Sequence, residues 1–204
     1  MSTAVLPAGI CPERLVRQNL DVEYPVVTGL ADAAVMIRIN NIILENVYAL
    51  IRQQGYCENP MVEITGYFEL KTNERNVLSL TLGNYGFSGG AHGLTLLKGL
   101  TFDLQTGYPA ELADLFKPGA DYVSCLSALV DAQIKARDIP LYNEFTGIRP
   151  DQDFYLADKA LVLFFQLYEI TPYVFGFPIF PISVYELQEI IAENGLLGRM
   201  ATND

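Results

Sequence analysis

The chain has 204 residues, 50% hydrophobic and 18% charged, and 13 Lys+Arg against 24 Asp+Glu leave a formal charge of −11. At about 100–200 residues per domain this is one domain or two small ones, and a charge content below the ~25% of average soluble proteins argues against disorder. The acidic balance argues against nucleic acid or an anionic membrane surface as partner, and a single histidine excludes a metal site built on several imidazoles.

From Met1 to Leu20, Pro7, Pro12, Glu13, Arg14 and Arg17 interrupt any apolar run, so no signal peptide is predicted. If Met1 is the natural start, a cytoplasmic location follows. Asp21–Val27 reads as a short extended segment. Val35, Ile39, Ile42, Ile43, Val47, Leu50 and Ile51 then recur at helical spacing and predict one long helix over 31–53, with Gly55 as its terminator. From Val62 the period becomes two: Val62, Ile64, Gly66, Phe68 and Leu70, then Leu78, Leu80 and Leu82, then Leu96, Leu100, Phe102 and Leu104. Three such segments predict an antiparallel meander with one dry face, covered by the 31–53 helix, and one wet face. Thr72–Asn76 is read as the first turn and a glycine-rich loop as the second.

Pro118-Gly119 precedes a second helix, about 121–136, with Tyr122, Leu126, Leu129, Val130 and Ile134 on one stripe. Pro140–Asp153 reads as loop. Phe154–Leu156 and Leu161–Leu167 predict a hairpin whose second strand, apolar on both faces, is central; Pro178–Val184 is an edge strand. Ser183-x-x-Glu186 is a capping box expected to open a final helix to about Ala192, with a frayed tail from Asn194. No segment reaches the ~20 apolar residues of a membrane helix. The fold class expected is α+β: an antiparallel sheet meander packed against a long N-terminal helix and a second central helix.

Chemistry is sparsely signalled. Gly86-Phe87-Ser88-Gly89-Gly90-Ala91-His92-Gly93 is followed by strand, so it does not cradle phosphate; it is a positive-φ connection, or an exposed recognition loop with His92 at its tip. His92 with Ser79, Ser88 or Ser124, or with Cys57 or Cys125, lacks any nucleophile-elbow context. Glu63 with Glu69, or Asp151 with Asp153 and Asp158, are the carboxylate pairs a small glycan hydrolase or esterase could use. Cys11, Cys57 and Cys125 show no zinc or redox spacing and read as reduced thiols, with a Cys57–Cys125 or Cys11–Cys57 bridge left open. The aromatic run from Phe164 to Tyr185 reads mostly as core, and Tyr168–Tyr173 is its part expected at the surface, because Glu169 and Pro172 break the strand. Nothing implies a cofactor or a metal.

Two stretches carry a resemblance: Gly89-Gly90-Ala91-His92-Gly93 between strands, and the run Phe154–Ile170 followed by Pro172-Tyr173 and Gly176. They resemble a bacterial domain family of unknown function, found in the extracytoplasmic half of the anti-sigma factor RsiV and beside the catalytic domain of the peptidoglycan deacetylase PdaC. Tyr24 to about Ile51 resembles the companion domain that precedes it. The resemblance implies residues 20–56 as the strand–helix part of that companion and 57–192 as an RsiV-like α+β domain, the two forming one compact unit. It also implies a module that binds rather than catalyses, in cell-envelope biology. The expected partner is a basic, lysozyme-like protein or a peptidoglycan fragment. The expected contacts are Gly89, Gly90, His92 and Gly93 in one loop, and Tyr168, Glu169 and Tyr173 in the other segment. Against the family pattern, Asp158-Lys159 stands where Asp-Gly is expected, and Val174-Phe175 is bulkier than the small residues usual before Gly176.

Overall fold

A computed structural model of the chain describes residues 7–201, which form two compact units divided between Pro109 and Ala110. The division does not fall at residue 56/57. The expected 20–56 segment has no sheet of its own, because its strand pairs in parallel with the first strand of the meander and its helix packs on that same sheet.

In the first unit, β1 (Gly9–Arg17), β2 (Leu20–Thr28), β3 (Glu63–Glu74), β4 (Val77–Phe87) and β5 (Leu94–Asp103) form one sheet in chain order. All neighbours are antiparallel except β2 and β3, which α1 (Ala33–Gln53) connects as a crossover. The meander is present as expected. Helix α1 buries Val35, Ile39, Ile43, Val47, Leu50 and Ile51 at a 3.6-residue period, against Leu78, Leu80, Leu82 and Phe102 of the sheet. Asp32 caps it by accepting from the Ala34 and Val35 amides at 2.8 and 3.2 Å. Gly55, at φ +79°, ends it as anticipated, with Tyr56 N–H reaching back to the Ile51 carbonyl. By length and composition α1 is apolar enough to cross a membrane, against the expectation that no segment is. Here its apolar stripe is spent on the sheet.

Several details depart from the expected pattern. Strand β1 was not anticipated, and it pairs with β2 over nine residues. The β3–β4 turn is two residues, Arg75 and Asn76, both at positive φ, rather than five. The register shifts between Leu70 and Thr72, and Leu70 is exposed to solvent. The expected wet face of β4 is buried: Ser79 and Thr81 are enclosed, with the Ser79 hydroxyl 2.7 Å from that of Thr101. Beyond Val22, no strand among the described residues pairs with β2 on its β3 side. The Asn40 amide takes up both backbone groups of Val27 there, accepting at 2.7 Å and donating at 2.9 Å.

In the second unit, β6 (Phe154–Ala157), β7 (Ala160–Phe164) and β8 (Ile179–Ser183) form an antiparallel sheet with β7 central, as read from its two apolar faces. Helix α2 (Tyr122–Ala136) buries Leu126, Val130 and Ile134, and ties to the β8 edge through Gln133 and Arg137, which donate to the Pro181 and Ile179 carbonyls at 2.8 and 2.7 Å. The Ser183/Glu186 capping box forms, yet only one 3-10 turn, Val184–Glu186, follows. Residues 190–192 instead give their backbone groups to Leu115 and Lys117, which halts the expected helix. The tail is not frayed as expected: α3 (Leu196–Met200) buries Leu196, Leu197 and Met200, while residues 202–204 lie outside the description.

Asp121 caps α2, and its hydrogen bonds from the Ser124 hydroxyl and amide hold its carboxyl below the usual range. The folded value lies below the unfolded one, so this stabilisation is complete above the ordinary aspartate range and is lost as pH falls through the lowered folded value. Urea midpoints measured across the acid range should decline less steeply in Asp121→Asn, which keeps an acceptor at the cap without the charge. Parallel curves would assign the acid limb to other carboxylates.

Candidate functional site

The two loops singled out in the sequence belong to different units. In the first, the β4–β5 connection places Gly89 and Gly90 at φ +95° and +96°, where only glycine is comfortable. Gly93 is buried beneath Tyr85: a Cβ there would stand 2.5 Å from the ring, and its amide donates to the Tyr85 hydroxyl at 3.2 Å. His92 is exposed, with Nδ1 3.0 Å from the Gly93 carbonyl. The loop is therefore a held connection presenting an imidazole to solvent.

In the second unit the chain leaves β7 and turns through Gln166–Gly176. Glu169 organises this turn. Its Oε2 accepts the Gln166 amide at 2.6 Å, and its Oε1 accepts from the Arg149 guanidinium. Arg149 also faces Asp151 and Asp153, at 3.4 and 3.9 Å. Partial burial pulls the guanidinium down, but the three carboxylates, Glu169 foremost, outweigh it and leave it more basic than usual. Tyr168 stands at φ +67°, in the left-handed region, and its ring stacks on Tyr173 with centroids 5.4 Å apart. Val174 at the tip is 92% exposed, Phe175 and Tyr168 are also exposed, and Gly176 at φ +80° returns the chain to β8.

Beside this turn lies a cleft of about 210 Å³ whose walls include Tyr142, Asn143, Glu144, Thr146, Glu169 and Ile170. The loop forming it is fixed from below. Phe145 packs edge-on against Phe165, Ile148 N–H donates to Ser127 Oγ at 3.0 Å, and Tyr142 N–H donates to the Ile170 carbonyl at 3.0 Å. Tyr142 itself is exposed. Neither Arg149 nor this cleft was singled out in the sequence. The cluster Arg149-Pro150-Asp151-Gln152-Asp153 was the available signal, and it reads like any solvated charge run.

The catalytic alternatives fare differently. Glu63 and Glu69 lie six residues apart on one strand, roughly 20 Å at about 3.3 Å per residue, beyond the roughly 5–9.5 Å of a glycosidase pair. Glu69 is further engaged by Lys71 at 2.9 Å. Asp151 and Asp153 are drawn to Arg149, whereas Asp158 sits at positive φ in the β6–β7 turn, in the place the family pattern gives to Asp-Gly. Ser79 is interior and bonded to Thr101; Ser124 and Cys125 lie on α2 in the second unit, whereas His92 belongs to the first. All three cysteines are free thiols, Cys11 and Cys57 exposed. Burial and the Asp121 charge push the Cys125 thiol up, away from nucleophilic character. Among the described residues no group of three or more His, Cys, Asp or Glu side chains is placed to hold a metal ion.

Comparison with known proteins follows the same two-part division. Residues 16–95 match the family model of the deacetylase PdaC, and residues 113–185 match that of DUF3298, a protein family of unknown function. The peptidoglycan-N-acetylmuramic acid deacetylase PdaC of Bacillus subtilis is 25% identical over 126 residues, covering 58% of this chain and 27% of the deacetylase. The chain thus spans about a quarter of the curated relative it matches. A DUF3298-family crystal structure from Bacteroides fragilis superposes with a TM-score of 0.68 at 16% identity, over 96% of each chain. One from Pseudomonas aeruginosa gives 0.69 at 15% identity over 98% of each. At those identities the two structures establish a shared α+β fold. The chain is thus similar to PdaC in its first unit and to the DUF3298 family in its second, and the two matches together support a DUF3298/PdaC-like relationship.

Proposed function

We propose that the protein is a recognition module of the cell envelope, binding without catalysis, and that its contact surface is the Tyr168–Gly176 turn with Tyr142 and the adjoining cleft. The observation that carries this reading is a projecting aromatic and aliphatic tip, Tyr168, Val174 and Phe175, set on a turn immobilised by the Glu169–Arg149 pair. Large apolar side chains held rigidly in water are the composition of a contact surface rather than of a solvated loop. The relation to the peptidoglycan deacetylase supports the envelope setting.

The second unit also supports the nature of the partner. It carries 6 Lys+Arg and 14 Asp+Glu, a formal −8 of the whole chain's −11. An acidic body steers a basic partner and lends the encounter salt dependence, so a basic, lysozyme-like protein is the partner proposed. The His92 loop, on the first unit, is proposed as a secondary contact.

Calorimetric titration of basic lysozyme at low and moderate ionic strength tests this. Binding that weakens with salt is expected, and weakens at least about tenfold further in Val174→Ala combined with Tyr168→Ala, since central aromatic anchors dominate such interfaces. Absence of heat at both salts overturns the lysozyme partner. Co-sedimentation with peptidoglycan in its place would assign the surface to glycan.

A further inference from the structure

The row of β4 side chains facing α1 runs Leu78, Leu80, Leu82 and ends in Asn84, which is 1% exposed. Neither Oδ1 nor Nδ2 of Asn84 meets a hydrogen-bond partner among the described residues. A carboxamide shut away from water with both ends unpaired is strongly disfavoured, and native interiors almost always satisfy such groups. Asn84 also lines a void of about 10 Å³, whose walls include Val22, Glu23, Val47, Leu50 and Tyr67. That matches the roughly 10–15 Å³ of centre volume that one buried water needs.

The surrounding sequence makes room for this arrangement. The residue paired with Asn84 across the sheet is Gly66, where a Cβ would stand 2.7 Å from Asn84 Oδ1 and 2.5 Å from Val22. A side chain at 66 would displace the amide, and glycine leaves it seated. The Asn84 carbonyl is separately engaged by Gln54, which donates to it at 2.7 Å, so the strand is fixed there while the side chain turns toward the void.

We infer that Asn84 binds a single ordered water molecule between α1 and the sheet. Water offers two donors and two lone pairs, so it satisfies the amide as donor or acceptor alike. Leucine in the same place would continue the apolar row, so the carboxamide is a polar break in an otherwise apolar row of side chains.

A crystal structure of the full chain at high resolution tests this, with water-to-amide cross-relaxation on ¹⁵N-labelled protein as an independent measurement in solution. The expected result is an electron-density peak about 3 Å from an Asn84 side-chain atom, and a cross-peak from a long-lived water to the Asn84 NH₂ group. In Asn84→Leu the density peak is expected to vanish. A dry void, an Asn84 amide paired directly to protein, or a peak that persists in Asn84→Leu would each overturn the assignment.

Discussion

Replacing Phe180 by alanine is expected to cost the second unit about 3–5 kcal/mol, the range found when a fully enclosed phenylalanine is truncated. Phe180 has no exposed surface. Its ring meets Phe165 edge to face at 5.6 Å and lies 5.4 Å beneath the Arg137 guanidinium, so truncation removes an aromatic pair and a cation–π contact as well as buried area. Urea unfolding followed by circular dichroism checks the figure, with Phe180→Leu as the milder control. The consequence reaches the proposed contact surface. Phe165 N–H donates to the Pro178 carbonyl at 3.1 Å and closes the base of the turn. Partner binding by Phe180→Ala should therefore fall along with stability. A midpoint within experimental error of the parent would mean that this core is dispensable.

Glu169→Ala is the second large effect, expected at about 2 kcal/mol, because the change strands the Gln166 amide and the Arg149 guanidinium together. The Glu169 side chain is 21% exposed, but that of Arg149 is 47% exposed, so the ion pair itself contributes modestly and most of the cost comes from the amide. Glu169→Gln keeps an acceptor for Gln166 and should lose about half as much, roughly 1 kcal/mol. Calorimetry on both variants separates the roles. If Glu169 positions the turn, partner affinity follows the stability order, parent above Gln above Ala. If both variants bind like the parent, the turn holds its shape without the carboxylate and the positioning role is wrong.

Legibility in the sequence followed burial asymmetry. Helix α1, strands β3–β5 and the β6–β7 hairpin each bury one face or both, and each was visible as a period of 3.6 or two, or as an unbroken apolar run. Strand β1 escaped because its side chains are almost all exposed, so no dry face imprints a pattern. The unit boundary was misplaced for a different reason. Parallel pairing of β2 with β3 bridges more than 30 residues across a helix, and no local signal records it. Helix α3 is short, and only its burial sustains it. The Tyr168–Tyr173 segment was read as surface because Glu169 and Pro172 interrupt an aromatic run, and Tyr168 is exposed there while Tyr173 is half-buried. Arg149 and the cleft wall were not, since a loop between α2 and β6 has no periodicity and its anchors, Ser127 and Phe165, are distant in sequence.

Tyr168 occupies a backbone conformation that costs an L-residue with a large side chain about 1–2 kcal/mol and costs glycine almost nothing. Chain comfort and ring placement therefore pull in opposite directions at this one position. A screen of variants by heat resistance alone would favour glycine there and discard the ring that stacks on Tyr173, and with it an anchor of the proposed contact surface.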